Sequence, residues 1–297
     1  MPGWHIGVIG GSGLYEAGAL DEAQQVEVAS PFGEPSGPVT MGTLEGVRFT
    51  FIARHGAGHR LPPAAVNYRA NVDVLKRCGV SDLLAVSAIG SLREELAPGH
   101  FVLPDQFIDR TCGRARSFFG AGLTAHVGLA DPVCPRLAGL AGAAAEATGA
   151  VVHRGGCYVA IEGPQFSTRA ESALYRQWDA DVIGMTAMPE ARLAREAELP
   201  YAVLAMVTDY DCWRDGEEAG GEAVEAAAIL GVMRDNVEKA RAALLALARS
   251  LPAERAPSPI DRALDGAIMT ARSDWDALAA RRLDAVAARY LRELSDE

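Results

Sequence analysis

Ile6-Gly7-Val8-Ile9-Gly10-Gly11-Ser12-Gly13 is the stretch whose reading decides the fold class. An apolar run without alternation reads as a strand buried on both faces, and the glycines after it as the turn at its end. The same arrangement returns along the chain. Val47–Ala53 ends at Arg54-His55-Gly56, Leu83–Ala88 at Ile89-Gly90-Ser91, and Tyr201–Val207 at Thr208-Asp209-Tyr210-Asp211. Shorter strands are expected at 100–103, 107–108, 159–162 and 182–183. Apolar residues at helical spacing predict helices over 67–78, 132–149, 168–178, 188–199 and 223–251. Strands alternating with helices argue for an α/β fold, a single layered domain around a largely buried mixed or parallel sheet.

The chain of 297 residues is long for one ordinary domain. Its sharpest composition break is Pro252–Pro259, with three prolines in eight residues. This divides a domain over 1–251 from a linker and C-terminal helical extension over 252–297 that is expected to pack on the domain. Ser273-Asp274-Trp275-Asp276 resembles a capping box and is expected to start the last helix. Hydrophobic residues make up 49 % and charged residues 23 %, which excludes a disordered chain. A net charge of −11 argues against general nucleic-acid or anionic-membrane binding. It leaves room for a small anion held by a few cations and backbone N–H groups. The five cysteines, Cys78, Cys112, Cys134, Cys157 and Cys212, are odd in number and contain no C-x-x-C pair, so neither a disulfide framework nor a zinc ribbon is expected. With no signal-peptide pattern and no long apolar run, the expected location is cytoplasmic.

The polar groups gather at strand ends, where α/β sheets place their ligand sites. Small residues at 10–13 let N–H groups approach an anion, and Ser12 adds a hydroxyl; alone, this is equally a structural turn. It is not a dinucleotide fingerprint, because Glu16 stands where the third glycine belongs. No P-loop, G-x-S-x-G elbow or H-E-x-x-H motif occurs. Arg54 can grip a phosphate with paired hydrogen bonds and His55 can add another, against the plain reading of a surface Arg beside a core His. Ser87 and Ala88 offer a hydroxyl and a backbone N–H, or simply a strand-to-turn serine. Asp209 and Asp211 end the most apolar strand, where a carboxylate is costly unless paired or functional; the bland alternative is a turn cap.

Taken together, IGVIGGSGL (6–14), ARH (53–55), VNYRAN (66–71), GSLREE (90–95), DQFIDRT (105–111), IEGPQFSTRAES (161–172), GMTAMPE (184–190) and TDYDCW (208–213) resemble the 5′-methylthioadenosine phosphorylase family, in the trimeric branch of the purine nucleoside phosphorylases. The blocks run in order from about residue 5 to 250. The resemblance implies a purine nucleoside phosphorylase-like mixed sheet and a homotrimer. It implies phosphate-dependent cleavage of the N-glycosidic bond of 5′-methylthioadenosine to adenine and 5-methylthioribose 1-phosphate, in purine salvage. No metal or organic cofactor is implied; inorganic phosphate is a co-substrate. By match to the family's motifs, Ser12, Arg54, His55, Ser87, Ala88 and Thr186 are phosphate positions, and Met185 packs against the ribose. Phe166 lies beside the base, Asp209 and Asp211 recognise it, and His126 reaches a neighbouring subunit's 5′ pocket. Ala226 and Ile229 fall near that pocket.

The chemistry suits these residues. Adenine leaves poorly as an anion, so an acid near N7, assigned to Asp209, neutralises it as the bond breaks. A carboxylate also favours a 6-aminopurine over a 6-oxopurine. Gly184 stands where many relatives carry Asn, while 214–225 and 252–272 read as insertions that would widen the 5′ pocket. Two alternatives therefore stay open within the fold: a phosphorylase of a 6-oxopurine nucleoside, or of a different 5′-modified adenosine. A non-catalytic nucleoside-binding protein is the rival from another class, disfavoured because binding alone needs no phosphate site.

Overall fold

The computed structural model describes residues 3–14, 20–214 and 221–292. Its strands are β1 (His5–Gly10), β2 (Asp21–Val26), β3 (Val39–Leu44), β4 (Val47–Ala53), β5 (Asp82–Ser91), β6 (Phe101–Leu103), β7 (Gln106–Asp109), β8 (Val152–Arg154), β9 (Cys157–Ala160), β10 (Val182–Gly184) and β11 (Tyr201–Asp209). Its helices are α1 (Tyr68–Arg77), α2 (Pro135–Glu146), α3 (Arg169–Gln177), α4 (Ala187–Glu196), α5 (Gly221–Ser250), α6 (Ala277–Arg282) and α7 (Ala288–Arg292). They form one mixed sheet in the order β2-β3-β4-β1-β5-β10-β9-β7, with β11 on β5 and β6, and β8 on β6.

Apolar runs explain the centre of the sheet. Every residue of β1 is buried, and β1, β4, β5 and β11 run parallel. One core layer sets Ile9, Ile52 and Val203 against Val72 and Leu75 of α1 and Leu193 of α4. The other sets Val8, Leu84 and Leu204 against Leu137 and Ala141 of α2 and Leu244 and Leu247 of α5. Helix ends follow local chemistry. Asn67 caps α1 by accepting from the Ala70 N–H, and Thr168 with Glu171 closes a capping box on α3.

Three strands have no counterpart in the sequence reading. β2 is almost wholly exposed, so its side chains carry no burial period; β3 pairs with it at the edge, and β8 has three residues. The tail also differs. In place of a continuous helical extension, 259–292 holds two single 3-10 turns and the short α6 and α7. Asp276 caps α6 by accepting from the Ala279 N–H at 2.7 Å, whereas Ser273 sits within a 3-10 turn and starts no helix. The tail is nonetheless integral to the core: Leu264, Leu283, Val286 and Ala287 are buried in the layer that contains α1 and α4. Arg255 anchors it from a buried position, bonding Asp261 and reaching Asp82 at the start of β5. Among the described residues no helix is long and apolar enough to cross a membrane.

Candidate active site

β4, β1, β5 and β11 deliver their carboxyl ends to one cavity of about 340 Å³. It opens where β1 releases β5. β1 pairs with β5 only as far as Ala85, and β10 takes up the same edge again at Gly90. Between these points Val86, Ser87 and Ala88 line the cavity, together with Gly11, Gly13 and Leu14 from the turn after β1.

Arg54, the residue after β4, is 2 % exposed. Its Nη1 donates to the Val86 carbonyl at 3.1 Å, one of the groups β1 leaves unpaired, and its Nη2 to the Ile9 carbonyl at 3.2 Å. Nε and Nη2 grip the Glu190 carboxylate at 2.5 and 3.1 Å. Burial works against the Arg54 charge, and Glu190 more than offsets it, so the guanidinium stays protonated. Of five N–H donors, one on Nη1 remains for a ligand. This corrects the paired grip on phosphate expected of Arg54: its fork is closed on Glu190. The second asparagine of VNYRAN acts one step behind. Asn71 bonds the Ser36 N–H and hydroxyl, and the Ser36 hydroxyl donates to the Arg54 carbonyl at 2.6 Å.

His55 lines the same wall, stacked on His59 with ring centroids 4.2 Å apart. Burial, with Arg54 adding, lowers its pKa to about 4. The neutral ring donates from Nδ1 to the Leu61 carbonyl at 2.8 Å, which makes Nε2 an acceptor. His55 therefore offers a phosphate an acceptor rather than the expected donor. The Ser87 and Thr186 hydroxyls lie 3.2 Å apart in the same cavity.

The opposite wall is built by β11. Its register on β5 slips at Thr208, since Val207 pairs with Ile89 and Asp209 with Gly90. That bulge turns Thr208 and Asp209, which would otherwise alternate, toward the same cavity. The Asp209 carboxylate accepts from the Asp211 N–H at 2.8 Å through Oδ1 and faces the Thr208 hydroxyl at 2.7 Å through Oδ2. Asp211 takes a left-handed φ of 46° and lines the cavity although the strand has ended. Burial pushes the Asp211 carboxyl up, and the Asp209 carboxylate adds to this.

Met185 and Phe166 complete the lining. Phe166 is 80 % exposed although it lines the cavity. Arg114 ties their two loops together. Its Nη1 donates to the Met185 carbonyl at 2.6 Å and the Met188 carbonyl at 2.9 Å, its Nη2 to the Glu162 carbonyl at 2.7 Å, and its Nε to the Glu162 carboxylate at 3.0 Å.

Of the residues predicted from sequence, Arg54, His55, Ser87, Ala88, Phe166, Met185, Thr186, Asp209 and Asp211 line this one cavity. The side chains of Ser12, Ala226 and Ile229 lie outside the described residues. His126 is exposed and lines no part of it. The reading missed Glu190, Arg114 and Thr208. Glu190 and Thr208 stand inside quoted motifs, and a Glu among the apolar residues that open α4 was the available signal.

Residues 5–249 match the phosphorylase superfamily. An S-methyl-5′-thioadenosine phosphorylase of Bradyrhizobium diazoefficiens is 53 % identical over 289 residues, spanning 97 % of this chain and 98 % of its own. One of Cereibacter sphaeroides is 54 % identical over 289 residues with the same coverage. Among solved structures, a methylthioadenosine phosphorylase from an antarctic soil metagenomic library superposes with TM-score 0.89 at 44 % identity, over 96 % of this chain and 99 % of that one. An S12T mutant of adenosine/methylthioadenosine phosphorylase from Schistosoma mansoni, in complex with methylthioadenosine, gives 0.78 at 36 % identity, over 85 % and 93 %.

Proposed function

Since the chain belongs to the S-methyl-5′-thioadenosine phosphorylases of the phosphorylase superfamily, we propose that the cavity between Arg54 and Asp209 is where it cleaves the N-glycosidic bond of 5′-methylthioadenosine with phosphate. The products are adenine and 5-methylthioribose 1-phosphate. The observation that carries the placement is the opposition of two walls in one cavity: Arg54, His55, Ser87 and Thr186 on one, Thr208, Asp209 and Asp211 on the other.

Phosphate sits on the first wall. The single remaining Arg54 donor, the two hydroxyls and the N–H groups of the turn after β1, with Ser12 among them, hold it beneath the ribose. A protonated phosphate oxygen donates to His55 Nε2. The purine sits on the second wall, where Asp209 gives a proton to the base as the C–N bond breaks. Developing positive charge on the ribosyl fragment faces the phosphate that attacks it. Met185 packs on the ribose, Phe166 covers the base, and Asp211 completes recognition of the exocyclic amine. Phosphate is the nucleophile and Asp209 the acid, so the reaction asks for no metal or organic cofactor. A homotrimer belongs to the same proposal: a neighbouring copy would cover exposed Phe166 and bring its His126 to the 5′ group, near Ala226 and Ile229. The five free thiols suit a cytoplasmic location.

A nucleoside panel with phosphate tests this reading, varying the 6-position and the 5′ group separately. The 6-amino compounds release base and the 6-oxo compounds lag well behind. Equal or better phosphorolysis of inosine than of adenosine would falsify the base assignment. Asp209→Asn lowers turnover about 100-fold or more, within the range of general-acid contributions.

A further inference from the structure

One hydroxyl at the site has two acceptors and one proton. Thr208 Oγ1 lies 3.1 Å from the Ile89 carbonyl and 2.7 Å from Asp209 Oδ2. The Ile89 carbonyl can only accept. Asp209 Oδ1 is already committed as an acceptor, because the Asp211 N–H that it bonds at 2.8 Å can only donate. A proton on this carboxyl therefore resides on Oδ2, the oxygen that faces Thr208.

Two bonding patterns follow. With Asp209 protonated, Oδ2–H donates to Thr208 Oγ1, and Thr208 donates to the Ile89 carbonyl. With Asp209 ionised, Thr208 turns its hydroxyl and donates to Oδ2, and Ile89 gives up its bond. Thr208 is 7 % exposed, so water does not readily replace either pattern. The bulge that places Thr208 and Asp209 on the same wall creates this arrangement.

Resting on the proposed role of Asp209 as the acid, we infer that Thr208 is a positioning residue whose hydroxyl switches acceptor as the proton leaves. With the base bound, Oδ2–H turns from Thr208 to the base nitrogen; the Oδ2–H bond then breaks and an N–H bond forms on the base, while the electron pair of the glycosidic bond goes to the base. The charge left on Asp209 then gains a charge-assisted hydrogen bond that the protonated carboxyl did not receive. The hydroxyl thus favours the ionised product of the transfer, and its effect belongs in kcat rather than in substrate binding.

The test is a series on the full chain with 5′-methylthioadenosine and phosphate: wild type, Thr208→Val, Thr208→Ala, Thr208→Ser and Asp209→Asn, each checked for folding by circular dichroism. Thr208→Val and Thr208→Ala are expected to lose about 10- to 100-fold in kcat, the scale of a hydrogen bond to a charged group, with nucleoside KM within about threefold of wild type. Thr208→Ser, which keeps the hydroxyl, is expected within about threefold of wild type in both. Wild-type kcat in a folded Val or Ala variant, a loss carried wholly by KM, or a Ser variant as slow as Ala overturns the inference. A slow Asp209→Asn beside an unchanged Thr208→Ala would remove the role of Thr208 alone. An unchanged Asp209→Asn would remove the acid role on which it rests.

Discussion

Arg54 and Glu190 stand 136 residues apart in sequence and meet as a forked ion pair, Nε to Oε1 at 2.5 Å and Nη2 to Oε2 at 3.1 Å, with both side chains almost fully buried. The Tyr201 hydroxyl donates to the same carboxylate at 3.2 Å. The pair closes the fork of Arg54 and aims what is left of it at the cavity.

Glu190→Gln leaves the Arg54 charge buried without a counter-ion. Breaking a buried pair costs about 3–5 kcal/mol, and the loss is read as a lower midpoint in denaturant. The freed guanidinium also loses its aim, so the KM for phosphate rises more than the KM for nucleoside. Replacing both partners, Arg54→Met with Glu190→Leu, restores most of the stability without restoring phosphate-dependent turnover. If Glu190→Gln were as stable as wild type, the pair would not be what holds this wall.

Gly184 packs so closely that a methyl group has no place. A Cβ there would fall 2.0 Å from the Tyr158 hydroxyl oxygen and 2.6 Å from its ring. Tyr158 is fully buried in the core layer that holds α1 and α4, so it cannot swing aside. Gly184→Ala is therefore expected to cost about 1–3 kcal/mol, the scale of overpacking, and to raise the nucleoside KM through the adjacent Met185 and Thr186. Adding Tyr158→Leu, which removes the atoms in the way, recovers part of the nucleoside KM. No recovery in the double variant would place the fault elsewhere.

The legible parts of this molecule are those where neighbours in sequence are neighbours in space. The apolar runs of β1, β4, β5 and β11 announce buried strands, and the polar residues that end them prove to be gathered at one cavity. β2, with sequence DEAQQV, is an exposed edge strand held by backbone bonds to β3, and no side-chain pattern marks it. In the tail, Gly266 with φ 69° and Pro259 interrupt helical spacing, although the apolar residues around them are buried. Arg54 was visible at a strand end, yet its partner Glu190 was not, because no local pattern ties a strand end to a helix 136 residues later.

Glu196 makes stability depend on pH. Burial raises its carboxyl from the ordinary 4.5 to about 7, against the lowering effect of its bonds from the Phe118 N–H and the Ser117 hydroxyl and of the Arg192 and Arg69 charges. A group raised on folding contributes its stability in full below the unfolded value and loses it as pH climbs through the folded one. Between pH 4.5 and about 7 the folded state should therefore lose up to about 3 kcal/mol through this group, at about 1.4 kcal/mol per pH unit. Glu196→Gln carries no such charge, so its melting temperature falls less over that interval when the two proteins are compared in the same buffers. Parallel curves would show that Glu196 does not titrate there.

Arg114 brings the last prediction, because it connects the loops that carry Phe166 and Met185, which the proposed function sets against base and ribose. It reaches the carbonyls of Met185, Met188 and Glu162 and the Glu162 carboxylate, from a side chain only 1 % exposed. It also bonds the Tyr68 hydroxyl at 3.0 Å and lies over that ring. Only a planar fork spans these partners at once; a lysine ammonium is a single point and can satisfy one loop or the other. Arg114→Lys keeps the charge and loses the span, so nucleoside KM should rise about 10-fold or more while phosphate KM changes less, the energy of one or two hydrogen bonds to a charged group. Arg114→Met removes the charge as well, takes the Arg114 donor from the buried Met188 carbonyl and the partly buried Met185 and Glu162 carbonyls, and should destabilise by about 2–4 kcal/mol. Steady-state kinetics with each substrate varied in turn separate the two effects. Equal rises in both KM values for Arg114→Lys would mean that Arg114 supports the whole cavity rather than its nucleoside half.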